Sequence, residues 1–305
     1  MINVDQAIRL LKDGDIVAIP TETVYGLAAS IKNKDALEKV FETKKRPFFD
    51  PLIVHVSSAS EAKKLTNYWP SYADILVKAF WPGPLTIVVP KNTQIEGIIT
   101  AGLDRVGIRV PNHPIALKII QQTGPLAAPS ANMFTKTSPT NAQHVEIEFE
   151  GKVPVVDGGQ CDVGIESTVV GLFEKEIKIY RPGIISKEDI QKVVGSEVYI
   201  EHAASPVAPG QIKHHYMPKL PLIITDSKDN LPEKININKC NIWNVEETPE
   251  LTARLLYSKM RDLDSENDFM IFIIPREKFL METWSGIKNR LEKAATYNRF
   301  IHNEE

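Results

Sequence analysis

The 305-residue chain has only two cysteines, Cys161 and Cys240, far apart and without a Cys-x-x-Cys companion. Neither a disulfide framework nor a thiolate zinc site follows from that usage, and a reducing compartment is implied. Long apolar runs are missing: the longest, Phe269 to Ile274, falls far short of the ~20 residues of a membrane span. The first apolar stretch is interrupted by Arg9, Lys12 and Asp13, unlike a targeting signal. A cytoplasmic chain with no membrane contact is expected. Charge of one sign is also missing, with 36 Lys plus Arg against 39 Asp plus Glu and a net −3, spread over both halves. That balance argues against a protein that coats nucleic acid and leaves room only for a small basic groove. The common motifs are absent too: no Gly-x-x-x-x-Gly-Lys-[Ser/Thr], no Gly-x-Gly-x-x-Gly after a strand, no Gly-x-Ser-x-Gly and no His-Glu-x-x-His. Any chemistry must come from a less common site.

What is present is an alternation of helical and extended periods. Val4, Ala7, Ile8 and Leu11 recur at helical spacing up to Gly14, and Ile16 to Ile19 reads as a buried strand closed by Pro20. A helix is marked by Leu37, Val40 and Phe41, a strand by Leu52 to Val56 and a helix by Tyr72 to Phe80. After the Trp81-Pro82-Gly83-Pro84 turn come strands at Leu85 to Val89 and Val106 to Val110. Pro114 opens a helix ending near Gly124, Leu126 to Ala128 is a short strand, and Thr140 is the expected cap of another helix. Val153 to Val156, Thr168 to Leu172 and Ile177 to Tyr180 read as strands, with Lys187 to Val194 helical. The last two strands lie too close for a helical crossover, so a mixed α/β sheet is expected over residues 1–200.

Residues 201–221 hold Pro206, Pro209, Pro218 and Pro221 with little periodicity, and read as a linker. Its Tyr216 and Met217 suggest more than a solvated tether: a lid is expected. Residues 222–305 then read as a small βαβα, Rossmann-like unit, from Leu222 to Thr225, Leu251 to Met260, Phe269 to Ile274 and the Ile287, Leu291, Ala294 stripe.

The polar residues of interest sit at strand ends. Thr21-Glu22-Thr23-Val24-Tyr25-Gly26 follows a buried strand, and could equally be a helix cap and turn. Lys44-Lys45-Arg46-Pro47 ends a helix, where the dipole favours cations. His55 lies within an apolar strand, more often the place of a hydrogen-bonded core histidine than of a ligand. Arg109 needs an anionic partner in its buried strand, either structural or a substrate. Lys44, Arg46, Arg109 and Arg181 offer charge for anionic oxygens, while Thr23, Ser130, Asn132 and Ser167 offer neutral hydrogen bonds. No nucleophile and base pair stands out. This inventory suits phosphoryl or nucleotidyl transfer, where positioning and charge stabilisation do the work.

Six ordered segments carry a resemblance. They are Pro20-Thr21-Glu22-Thr23-Val24-Tyr25-Gly26-Leu27, Lys44-x-Arg46-Pro47 with Pro51-Leu52-Ile53-Val54-His55-Val56, Trp81-Pro82-Gly83-Pro84-Leu85-Thr86, Pro129-Ser130-Ala131-Asn132 with Ser138-Pro139-Thr140, Glu166-Ser167-Thr168-Val169, and Arg181-Pro182-Gly183. Together they resemble the YrdC-like family, in particular its two-domain L-threonylcarbamoyladenylate synthases. The likeness is strong to about residue 195 and looser at His215-Tyr216-Met217-Pro218 and Asn289-Arg290-Leu291-x-Lys293-Ala294-Ala295. It implies a YrdC-like twisted mixed sheet and condensation of L-threonine, bicarbonate and ATP, with Mg²⁺, to threonylcarbamoyl-AMP and pyrophosphate. A downstream complex would pass the threonylcarbamoyl group to tRNA.

By resemblance, Lys44, Arg46, Asp50, Arg105, Ser130, Ser138, Arg181 and Tyr216 surround ATP, and Thr23, His55, Arg109, Ala128 and Ser167 surround threonine. Lys44, Arg46, Ser130 and Asn132 are the candidate catalytic set, and no protein side chain is assigned to metal. Asp50 stands where the family usually has Asn, and Arg105 where a small hydroxyl residue is usual. Met133-Phe134-Thr135 replaces x-Ser-Gly, suggesting another loop path, and Gln211, Ile212 and Lys213 also depart from the family. An RNA-binding YrdC-like module without adenylate synthesis is the competing reading. The near-zero charge and scarce exposed aromatics weigh against it and against stable nucleic-acid binding. A carbamoyl-phosphate-using relative would bring extra metal-binding or acylphosphatase-like segments, which the sequence does not contain.

Overall fold

In a computed structural model, residues 1–200, 215–231, 235–264 and 267–300 are described. The elements run α1 (Val4–Lys12), β1 (Val17–Ile19), β2 (Gly26–Ser30), α2 (Lys34–Lys44), β3 (Ile53–His55), α3 (Ala59–Lys63), α4 (Ser71–Phe80), β4 (Leu85–Pro90), β5 (Arg105–Arg109), α5 (Pro114–Thr123), β6 (Leu126–Ala127), α6 (Ala142–Glu148), β7 (Thr168–Leu172), β8 (Ile177–Arg181), α7 (Lys187–Val194) and β9 (Val198–Ile200). These nine strands form one mixed sheet in the order β1-β2-β6-β3-β5-β4-β7-β8-β9. Then follow β10 (Leu222–Thr225), β11 (Cys240–Asn244), α8 (Pro249–Asp262), β12 (Phe269–Ile273), α9 (Arg276–Leu280), α10 (Ser285–Ala294) and β13 (Tyr297–Asn298). Their sheet, in the order β11-β12-β10-β13, is wholly parallel.

Local chemistry sets the boundaries. α1 begins at a reciprocal capping box between Asn3 and Gln6 and buries Ala7 and Leu11. α2 starts at the Asn33 cap and ends where Lys45 turns left-handed at φ 51°, leaving Lys44 buried on the last turn. β3 and β7 are buried along their whole length, as interior strands with apolar matter on both faces should be.

The mixed α/β sheet and the second α/β unit agree with the sequence reading, and β7 pairs antiparallel with β8, as the short connection required. Several details differ. The segment after β1 does not cap a helix: it turns back into β2, paired antiparallel with β1. Val153 to Val156 makes only isolated bridges to Ile2 and Ala18, because Pro154 has no N–H to extend a ladder. The cap of α6 is Asn141, whose side chain accepts from the His144 amide, not Thr140. The C-terminal unit has two more strands than expected, β11 and β13, and α3 and β9 were also not anticipated. The linker or lid expected over residues 201–221 falls largely on 201–214, which lie outside the described residues.

Candidate active site

Segments flanking β1, β3, β5, β6, β7 and β8 converge, with the ends of α2 and of the 215–217 segment, on a cleft lined by Thr23, Arg46, His55, Arg109, Ala128, Ser130, Ser167, Arg181 and Tyr216. These nine were singled out in the sequence, whereas Glu166 and His215, which also line the cleft, were given no site role there. They come from segments far apart in the chain, and the space left among them is only about 50 Å³.

Arg109, at the end of β5, lies at the floor. Its Nε donates to the Gly83 carbonyl at 3.1 Å and its Nη1 to Thr23 Oγ1 at 2.9 Å. The anionic partner its burial demands is Glu22: Nη2 stands 2.6 Å from Oε2, with both side chains buried. That contact lacks hydrogen-bond alignment, and Nη2 and both Glu22 oxygens have no hydrogen-bond partner. Charge is balanced while directional bonding is incomplete, which leaves the guanidinium able to receive a carboxylate. His55, one strand away in register with Arg109, is pushed down to about 3 by burial and then by Arg109, so its imidazole is neutral at ordinary pH.

Lys44 does not line this cleft. From behind the wall its buried Nζ donates to the carbonyls of Ser130 at 2.6 Å and Asn132 at 2.5 Å, fixing the loop that carries Ser130. Burial, then the Arg46 charge, lowers its pKa well below the ordinary lysine value. Asn132 donates to the Met133 and Lys136 carbonyls, so it braces its own loop. Within that loop Thr135 takes φ 67°, a conformation costing a β-branched residue ~1–2 kcal/mol, and its carbonyl accepts from the Met217 amide at 2.8 Å.

Arg46 reaches the cleft but is also held by its own loop: Nε donates to Asp50 O at 3.1 Å, Nη2 to Pro51 O at 2.8 Å, and Nη2 pairs with the Asp50 carboxylate at 2.9 Å. Burial raises the pKa of Asp50, against the pull of Arg46 and Lys44. Ser138 also stands outside the lining, donating to Glu166 Oε1 at 2.6 Å. Arg105 is not brought to the site. Its side chain crosses β4 toward β7, donating to Val88 O at 2.9 Å and Leu172 O at 2.5 Å with its guanidinium over Phe173. It joins strands and adds nothing to the cleft.

Tyr216 is fully buried in the cleft wall, its ring centroid 4.2 Å from that of His215 and 5.7 Å from that of Tyr257. Residues not assigned roles from sequence prove central: Glu22 behind Arg109, and Glu166, held by Ser138, Tyr257 and Arg290. Among the described residues no group of three or more His, Cys, Asp or Glu side chains could hold a metal ion. The cleft therefore offers cationic and hydroxyl donors for a polyanion and a carboxylate, with no nucleophile and base pair.

A family model of the Sua5/YciO/YrdC type, described as "Telomere recombination", matches residues 9–183. A second, described as the C-terminal domain of threonylcarbamoyl-AMP synthase, matches residues 185–296. A Bacillus subtilis protein named threonylcarbamoyl-AMP synthase is 44% identical over 75% of this chain and 68% of its own length. One of the same name from Pyrococcus abyssi is 37% identical over 95% of this chain and 93% of its own. The crystal structure of P. abyssi Sua5 complexed with L-threonine superposes with a TM-score of 0.88 at 36% identity, covering 96% of this chain and 94% of that one.

Proposed function

The chain belongs to the Sua5/YciO/YrdC family in its form with a Sua5 C-terminal domain and is an enzyme of the threonylcarbamoyl-AMP synthase kind; we propose that it condenses L-threonine, bicarbonate and ATP into threonylcarbamoyl-AMP and pyrophosphate, supplying the modification of tRNA. The observation that carries this reading is the convergence of Arg46, Arg109 and Arg181 with hydroxyl donors on one cleft. In such a reaction the substrates supply the nucleophile and the protein supplies position and charge.

Threonine enters with its carboxylate on Arg109, beside Thr23, His55, Ala128 and Ser167. Its amine and bicarbonate give a carbamate and water. A carbamate oxygen then attacks the α-phosphorus of ATP, and the bond to the β-phosphate oxygen breaks as pyrophosphate leaves. Arg46 and Arg181 meet the phosphates. Lys44 acts through the Ser130 to Asn132 carbonyls it holds, and Ser138 acts through Glu166. ATP would bind as its Mg²⁺ complex, the cation offsetting phosphate charge, with no described side chain assigned to hold it. Because ligand sites of this class need hundreds of Å³, the strap carrying His215 and Tyr216 must lift for ATP to enter. Once reclosed, it keeps water from the mixed anhydride. No helix among the described residues is long and apolar enough to cross a membrane, and a cytoplasmic enzyme serving a separate tRNA-transfer complex fits this chemistry.

The test is pyrophosphate release by the purified chain. It is expected only when L-threonine, bicarbonate, ATP and Mg²⁺ are all present. Equal release without threonine, or none from folded protein, overturns the reading. A second expectation concerns Asp50, a buried carboxylate beside the phosphate-facing Arg46. Asp50→Asn removes a like charge from the nucleotide's surroundings and frees the Arg46 fork, so the KM for ATP should fall several-fold. A KM that rises would make Asp50 a needed brace for Arg46 instead.

A further inference from the structure

The residue that joins the two sheets most directly is Arg290, on α10 of the C-terminal unit. It is fully buried, and its donors are spent across the boundary. Nε donates to Glu166 Oε2 at 3.0 Å, Nη2 to the Glu166 carbonyl at 3.0 Å, and Nη1 to the Pro182 carbonyl. Tyr257, on α8, donates its hydroxyl to the same Glu166 oxygen at 2.9 Å. One carboxylate of the large unit is thus held by two helices of the other.

Each atom so fixed is adjacent to a cleft residue. Glu166 precedes Ser167, whose hydroxyl accepts from Arg181 Nη2 at 3.2 Å and whose carbonyl accepts from Arg181 Nε at 3.1 Å. Pro182 follows Arg181. The Arg290 guanidinium also lies 5.4 Å from the centroid of the Tyr216 ring, against which Tyr257 stacks at 5.7 Å. Close backbone approach makes this possible: a Cβ on Gly286 would stand 2.6 Å from the Gly183 carbonyl oxygen, so only glycine lets α10 sit on the turn after β8. Glu166 is ionised here. Burial alone would raise its pKa, but Arg290, then Arg181 and the Ser138 hydroxyl hold it down to about 2.

We propose that Arg290, with Tyr257, is a positioning residue through which the C-terminal unit sets the cleft: by gripping Glu166 and Pro182 it holds Ser167, Arg181 and the Tyr216 ring in the cleft wall. Arginine is required because only its planar fork meets a side-chain oxygen and two backbone carbonyls at once. The consequence for turnover rests on the proposed synthase reaction, but the grip itself does not.

A purely structural salt bridge and a positioning device separate in the neutral pair Arg290→Met with Glu166→Gln. Removing both charges leaves no orphaned ion, so stability should recover relative to either single variant. The double variant is nevertheless expected to exchange amide hydrogens at least tenfold faster in segments 165–168 and 215–218, with exchange in Val17–Ile19 unchanged. It should release pyrophosphate at least tenfold more slowly at saturating substrates. Its threonine affinity should fall less than its turnover, because Arg109 is held by Glu22, Thr23 and Gly83 outside this grip and only the Ser167 contact is loosened. Tyr257→Phe, a milder change that keeps the ring, should fall between the two. Wild-type exchange in both segments, or wild-type turnover in a stable double variant, overturns the proposal. A wild-type chain that releases no pyrophosphate would instead overturn the synthase reading, while the exchange comparison still decides the grip.

Discussion

Arg109→Met is expected to cost about 3–5 kcal/mol of stability and, in whatever folds, ten- to a hundredfold in threonine affinity. The first effect comes from Glu22, which would be left as a buried carboxylate with no counter-charge and no hydrogen bond. The second comes from loss of the proposed fork for the threonine carboxylate. The two separate in a double variant. Glu22→Gln with Arg109→Met removes both charges, so denaturant unfolding should show most of the stability restored while calorimetric titration still finds threonine weak. Threonine binding at wild-type strength in that variant would reduce Arg109 to a structural partner of Glu22. Glu22→Gln alone should bind threonine no worse, since it leaves the guanidinium in place with less competition.

This pair also marks how far the sequence could be read. A guanidinium in an apolar strand announced that it needed an anion, and periodicity located the strand. Nothing in the spacing could say that the anion lay in the loop after β1, because that contact depends on β2 folding back on β1 and on the order in which strands join the sheet. Cleft residues at strand ends were legible because polar side chains just past buried strands have few other reasons to be there. Lys44, Asn132 and Ser138 were legible as special residues but not as supports behind the wall, a distinction that lives in side-chain direction and not in sequence. Arg105 misled because its neighbour in the pleat, Phe173, is distant in sequence and offers it a ring to cover. Arg290 had a signal that was available: it falls on the stripe Gly286, Ile287, Leu291, Ala294 that α10 buries, and a charge on a buried stripe requires a partner. The short strands β9 and β13, two or three residues each, carry too little periodicity to be read at all.

Acid should unfold the chain well above the pH at which its carboxylates titrate. His55 and His215 are held down to about 3 and His144 to about 4, in each case first by burial. Next to burial, Arg109 disfavours the imidazolium of His55 and Arg261 that of His144, while at His215 Glu166 favours it against Arg46, Lys44 and Lys293. In the unfolded chain each imidazole returns to its ordinary value of 6.5. Between that value and the folded one, the unfolded state binds more protons, so stability rises with pH there and is lost as pH falls. Above 6.5 the contribution is present in full. Each histidine gives ~1.4 kcal/mol per pH unit, and three give ~4 kcal/mol per unit between pH 6 and pH 4. Against a typical total of ~5–15 kcal/mol, a stability at the low end is spent a little over one unit below 6.5, and about 10 kcal/mol is lost by pH 4. Glu166, depressed to about 2, adds its own loss only below its ordinary value of 4.5, after the histidines have begun to act. Denaturant midpoints at pH 7, 6 and 5 measure the slope, and His144→Gln, outside the cleft, should remove about a third of it. A slope between pH 6 and 5 of less than one histidine's share would mean that these rings are solvated or paired when folded. It would also remove the neutral His55 from the threonine side of the cleft. If the slope is found, His215 ties the strap to it, since the histidine that must stay neutral for the fold is the one packed against Tyr216 in the cleft wall.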